Sequence, residues 1–348
     1  MAKDTMKAAV LVGAKQIEIK EVPVPTVRPG DIEIKVTACG VCGSDIHMWK
    51  AGQGWGKNMQ DFIMGHEFCG VVTNPNGSKF KEGDRVTFWA NLYCGECDMC
   101  RAGLEHLCRD VNGTNYIGFV CNGAYAERFA GKAKNAYLLP DSVSDVAAGC
   151  IDPLMVADHA VRKAGIKLGE KVLVVGNGII GNMIGELAKK SGASYVALSK
   201  LNDYKLAPTK KAGYFDAYFD AASEEFPQET QEASKGGFDI AFEAVGAESA
   251  MQNCISAIKP GGTIVMIGNS ITPTIPVNIN RAVLQEFRLL GSVSCTEEEF
   301  RGTIDLIANG IIDPEAYVTD IIGLDDLQHT LERIVSPTDS ILKAVVKP

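Results

Sequence analysis

Cys94, Cys97, Cys100 and Cys108 form a C-x2-C-x2-C-x7-C run. Four thiolates so close in sequence can wrap a short loop around one zinc ion and fill its tetrahedral shell, leaving no position for a reactant. Such a site is structural. Four unrelated thiols are the bland alternative, and a redox pair is a poorer account because the same spacing repeats with a fourth cysteine nearby. His106 competes with Cys108 as fourth ligand, but an all-sulfur shell is simpler and His106 reads as exposed.

Upstream, Cys42-Gly43-Ser44-Asp45-Ile46-His47 and Gly65-His66-Glu67 offer sulfur, imidazole and carboxylate. Cys42, His66 and Glu67 can converge on a second zinc that keeps a coordination position open. One histidine or one cysteine alone reads as a core residue; their joint occurrence ahead of the four-cysteine run favours a metal. Asp152, in Cys150-Ile151-Asp152-Pro153, is a further candidate ligand, although alone it reads as a turn or helix start. A third constellation is Gly176-Asn177-Gly178-Ile179-Ile180-Gly181. A lone GxGxxG is weak. This one follows the apolar strand Lys171–Val175 and opens a helix over 179–191, the context that makes it a pyrophosphate cradle.

The elements that must position these residues fall into two textures. Residues 7–37 alternate apolar and polar positions, as in Gln16-Ile17-Glu18-Ile19-Lys20, and short strands with glycine-rich turns continue to about 140. From about 165, strands at 171–175, 195–199, 238–242 and 263–267 alternate with helices, the second of them opening near Asn202. That alternation predicts an α/β fold with a doubly wound parallel sheet. Thr296 and Glu299 form a capping box for a helix running to Ala308, with Glu297-Glu298-Glu299 as its solvated first turn.

A chain of 348 residues exceeds the usual single core, so two domains are expected. Its net charge of −9 argues against a nucleic-acid binder. No apolar run suits a membrane span, and eleven cysteines without a signal-peptide core place the chain in the cytoplasm.

Together with Gly83-Asp84-Arg85-Val86, Gly192 and Pro260-Gly261-Gly262, these motifs make the whole chain resemble the zinc-containing medium-chain dehydrogenase/reductase family. Glu67 and the Asp152-Pro153 segment look most like its polyol, butanediol and threonine dehydrogenase branch. The resemblance implies a GroES-like β-rich catalytic domain over 1–154, completed by 295–348. A Rossmann domain over 155–294 interrupts it, with the active site in the cleft between them. It implies a homodimer or homotetramer acting on a small alcohol or ketone, with two zinc ions per chain. Ser44 and His47 take the family's proton-relay roles, and Asp45 is expected to orient His66. An open zinc polarises an alcohol hydroxyl and lowers its pKa. Because Cys42 and Glu67 already neutralise Zn2+, Glu67 and Asp152 are expected to alternate, or one to act through water. Many sorbitol dehydrogenases carry an arginine where Ser294 aligns, which counts against sorbitol. Trp49, Trp55 and the loop around Phe119 are candidate cleft residues, although aromatic residues more often serve packing.

The dinucleotide contacts are assigned to Gly176, Gly178, Ile179, Ile180, Gly181, Ser199, Lys200, Lys205, Val245, Gly246, Ile267 and Gly268. NAD-preferring domains place a carboxylate about 20 residues after the fingerprint. Lys200 stands there, with Ser199 beside it and Lys205 following, so NADP(H) is favoured over NAD(H). Asp203 lies three residues later and reads as a helix start.

Overall fold

The alternating stretches are realised as strands in the computed structural model, which describes residues 5–56, 59, 61–110, 115–201, 203–269 and 274–348. In chain order the first strands are β1 (Thr5–Gly13), β2 (Gln16–Pro23), β3 (Asp31–Gly40), β4 (Phe62–Ile63) and β5 (Glu67–Asn74). Then come β6 (Arg85–Phe88), β7 (Arg128–Lys132), β8 (Ala136–Leu138), β9 (Lys171–Val175), β10 (Tyr195–Lys200) and β11 (Ala217–Asp220). The last are β12 (Phe238–Glu243), β13 (Ile258–Met266), β14 (Arg288–Gly291), β15 (Asp320–Ile322) and β16 (Ala344–Val346). The chain divides into two compact units: Met1–Pro153 with Thr296–Pro348, and Leu154–Cys295.

The first unit holds a sheet in the order β15-β16-β3-β5-β6-β8, with β7 paired to β3, and a three-stranded sheet β2-β1-β4. Alternation in β3 sends Ile32, Ile34 and Val36 into a core where Phe68 packs on Phe88 and Phe129. Two of its polar positions are covered too. Asp31 and Glu33 are buried beneath β7, where Lys132 and Arg128 pair with them at 2.7 and 3.0 Å. The register decides the site: Gly40 at the end of β3 lies opposite Glu67 on one side and Val345 of the returning C-terminal strand on the other.

In the second unit six parallel strands run β11-β10-β9-β12-β13-β14. Val172, Leu173, Val174 and Val175 of β9 are all buried, as a central strand covered on both faces requires. Helix Ile179–Lys190 follows it directly. The next helix begins at Leu206 rather than near 202, because Asp203 closes a turn with its carbonyl on the Leu206 N–H and its carboxylate on Lys200. Asn202 lies outside the described residues. β13 begins at Ile258, so the Pro260-Gly261-Gly262 turn falls within the strand instead of preceding it. Thr296 caps helix Glu297–Ala308 reciprocally with Glu299, as the sequence pattern predicts. No helix among the described residues is long and apolar enough to cross a membrane.

Candidate active site

Cys42 ends the turn after β3 and heads helix Gly43–Ala51, while Glu67 opens β5 and His66 immediately precedes it. Pairing of β3 with β5 therefore brings the three donors together: the sulfur, imidazole and carboxylate ligand atoms all lie within 4.8 Å of one another. His66 and Glu67 are buried. Burial opposes a charge on His66, yet the Cys42 thiolate, with Asp45 behind it, pushes the imidazole up to about 10. A sulfur, an imidazole and a carboxylate converging on one point form a donor set that a zinc ion fits. Asp45 holds its Oδ1 3.7 Å from His66 Nδ1, the side from which a carboxylate orients a ligating histidine.

Lys343 was not anticipated. Its ammonium is fully buried, pairs with Glu67 Oε2 and donates to the Val41 carbonyl at 3.0 Å. The contact passes over Gly40, where a Cβ would overlap Glu67 Oε2 and stand 3.0 Å from Lys343 Cε. Asp152, in the first turn of helix Ile151–Ala164, lies outside the tight donor set but within electrostatic reach of it. Burial pushes its carboxyl up to about 7, opposed by His66 and reinforced by Glu67. Lys343 adds a buried positive charge that offsets the Glu67 carboxylate.

Ser44 and His47 share one face of helix Gly43–Ala51 at i, i+3. Ser44 Oγ is buried with no protein hydrogen-bond partner, and His47 is exposed. Trp49 serves packing: it is 2% exposed and its indole N–H reaches Gln328 at 3.3 Å, because it fills the core between the helix and the C-terminal segment. Trp55 is 39% exposed and packs edge-on to Phe119 at 4.6 Å, and Phe119 packs edge-on to His66 at 4.7 Å.

The second cluster is all sulfur. Cys94 lies 3.9 Å from Cys100 and 3.5 Å from Cys108, and Cys97 lies 3.9 Å from Cys108. A tetrahedral Zn–S shell at about 2.3 Å has S···S edges of about 3.8 Å, so the cluster has the dimensions of a closed site. Backbone N–H groups of Cys100 and Arg109 hold the Cys97 thiol down at about 6, while burial pushes Cys100 up to about 12. His106 is 4% exposed, contrary to the expectation of an exposed side chain, and stands outside the ligand set. The short 3-10 turn Glu105–Leu107 folds it inward.

In the second unit, Gly176 adopts φ +121° and a Cβ there would come within 2.9 Å of Val245. A Cβ on Gly181 would overlap the Gly176 carbonyl, whereas one on Gly178 would meet nothing within 4 Å. The first and third glycines thus serve packing, and the second leaves open the helix N-terminus preceding Ile179 and Ile180. A cavity of about 290 Å³ adjoins it, lined by Gly176, Gly178, Ser199, Leu201, Val245 and Asn253 among others. Gly246 and Gly268 pack backbone to backbone at the ends of β12 and β13, with Ile267 beside them. Lys200 ends β10 and pairs with Asp203 at 2.9 Å. Lys205 precedes helix Leu206–Ala212.

Residues 28–141 match the alcohol dehydrogenase GroES-like domain, and residues 180–309 match the zinc-binding dehydrogenase domain. Sorbitol dehydrogenase of Bacillus subtilis strain 168 is 31% identical over 99% of this chain and 97% of its own. The chain belongs to the zinc-binding alcohol dehydrogenase family. This dehydrogenase is also 36% identical to an L-threonine 3-dehydrogenase of Chromobacterium violaceum, over 95% of its own length and 97% of that protein. A zinc-binding dehydrogenase structure from Sinorhizobium meliloti 1021, bound to NADP, superposes with TM-score 0.88 at 28% identity, covering 99% and 100% of the two chains. The dehydrogenase is accordingly a zinc-dependent oxidoreductase of the alcohol and polyol class, built from a GroES-like unit and a Rossmann unit.

Two residues that shape its site escaped sequence reasoning. Lys343 had a signal, a lone cation inside the apolar run Ile341-Leu342-Lys343-Ala344-Val345-Val346. Tyr125, described below, had none.

Proposed function

We propose that the dehydrogenase exchanges a hydride between NADP(H) and a secondary alcohol, diol or polyol, with zinc held by Cys42, His66 and Glu67 and with Asp152 as alternate carboxylate. The observation that carries this reading is the convergence of those three donors on one buried point. Bound there, the metal supplies Lewis acidity that makes the substrate hydroxyl easier to deprotonate. Ser44 accepts the departing proton and His47, exposed one turn on, hands it to water. Asp45 orients His66, and Lys343 holds Glu67 and offsets its charge. Relatives named for sorbitol and for the 3-hydroxyl of L-threonine share a secondary carbinol, which supports the substrate class. A panel of diols, polyols and 3-hydroxy amino acids run with each cofactor tests the reading; no cofactor reduction with any of them would sink it.

A second zinc belongs to Cys94, Cys97, Cys100 and Cys108 and is structural. Metal analysis of native protein is expected to return two zincs per chain, one removed readily by chelator and one retained. One zinc per chain would count against this assignment.

Lys200 and Ser199, whose buried Oγ lacks a protein partner, suit a 2′-phosphate, and the NADP-bound relative supports that preference. A charge-assisted hydrogen bond contributes about 1.5–3 kcal/mol, so kcat/KM is expected to be at least about tenfold higher with NADP+ than NAD+. Lys200→Asp should reverse the preference. An NAD+ value equal or higher, or a ratio unmoved by the substitution, would overturn it. Eleven cysteines, none of them in a disulfide, suit a reducing, cytoplasmic setting. β14 ends its sheet, and Ile279, Val283 and Leu284 beside it are exposed, which supports a homodimer or homotetramer.

A further inference from the structure

We propose that Tyr125 is a positioning residue for the Cys42–His66 centre, its phenol fixing the Asp45 carboxylate that faces the His66 ring. This rests on the metal-centre reading above. Tyr125 is fully buried, with its hydroxyl 2.7 Å from Asp45 Oδ2 and 3.1 Å from the Gly40 carbonyl. The hydroxyl has one proton, and the charged acceptor at the shorter distance takes it. Asp45 Oδ2 also accepts the Cys42 N–H at 3.0 Å. One carboxylate oxygen is therefore held by two donors, and the other is left 3.7 Å from His66 Nδ1 with no hydrogen-bond partner of its own. A carboxylate pinned at one oxygen cannot turn about its Cβ–Cγ bond, so Oδ1 stays aimed at the imidazole.

The backbone ties the same residue to the His66 segment. The Tyr125 N–H donates to the Met64 carbonyl at 3.0 Å and the Ala124 N–H to the Gly65 carbonyl at 2.9 Å. Gly65 adopts φ +94°, and a Cβ there would stand 2.9 Å from the Tyr125 ring. Glycine lets the ring lie against the chain immediately before His66. Tyr125 thus joins the two segments that carry the donors: the helix of Cys42 and Asp45, and the strand of His66 and Glu67. Burial, with Asp45 adding to it, keeps the phenol protonated and so a permanent donor.

Removing a group that orients a ligating histidine weakens metal binding about 10- to 100-fold. The test is chelator competition on intact wild-type and Tyr125→Phe enzyme, with and without Asp45→Ala. Tyr125→Phe is expected to weaken the labile zinc about tenfold or more, to leave the four-sulfur zinc unchanged, and to shift the visible bands of the cobalt-substituted centre. In the Asp45→Ala background the same change should add nothing. Labile zinc held as tightly by Tyr125→Phe as by wild type, or an equal loss in both backgrounds, overturns the proposal. A wild-type enzyme without labile zinc overturns the metal-centre reading itself and this proposal with it, and needs no variant to be seen. Should Tyr125→Phe not fold, 3-fluorotyrosine at position 125 should shift its 19F resonance when the labile zinc is stripped; an unmoved resonance is the negative result.

Discussion

Cys42→Ser and His66→Ala are expected to lower kcat/KM by at least about 10³-fold while dinucleotide affinity stays near wild type. A metal Lewis acid contributes several kcal/mol to stabilising charge at the reacting oxygen. Each 1.36 kcal/mol is a factor of ten in rate. Neither residue belongs to the unit that carries the glycine cradle, and so dinucleotide affinity is expected to survive, while retention of the four-sulfur zinc is the control on folding of the first unit. Fluorescence titration with NADPH, metal analysis and turnover on the best alcohol of the panel measure the three quantities. Wild-type-like turnover in either variant, with its metal content verified, would refute the assignment of these residues.

Lys343→Met is the substitution with the largest expected effect on stability. Glu67 and Lys343 are each about 1% exposed at the side chain, and the ammonium is the carboxylate's direct partner. Removing one member of a buried pair costs about 3–5 kcal/mol, because the other charge is left in a low-dielectric interior. The first unit has a size for which each kcal/mol shifts Tm by about 2–4 °C, so a fall of about 6–20 °C is expected. Two controls distinguish this from lost packing. Glu67→Gln with Lys343→Met removes both charges and should recover much of the loss. Chelation of the labile zinc should deepen the deficit of Lys343→Met more than it affects wild type, because the metal otherwise faces the same carboxylate. A Lys343→Met protein as stable as wild type with and without chelator would show that the pair carries no such energy.

Most of this chemistry was legible in the chain because its donors sit close together in sequence. Cys94 to Cys108, Cys42 to His47 and Gly176 to Gly181 are each a single turn, loop or strand–helix junction, and a short segment can only fold around what its own spacing permits. The apolar β9 and the Thr296–Glu299 box were readable for the same reason, since periodicity and capping are local. What remained hidden was set by pairing across the chain. Lys343 reaches Glu67 only because β16 lies on the far side of β3 from β5, with Gly40 bare between them. Tyr125 reaches Asp45 because residues 124–125 hydrogen-bond to the two residues before His66. His106 was misread for want of the same information, since exposure depends on what packs above a residue. Local spacing determined which atoms could hold a metal; strand register, a non-local property, decided which buried charges and hydrogen bonds surround them.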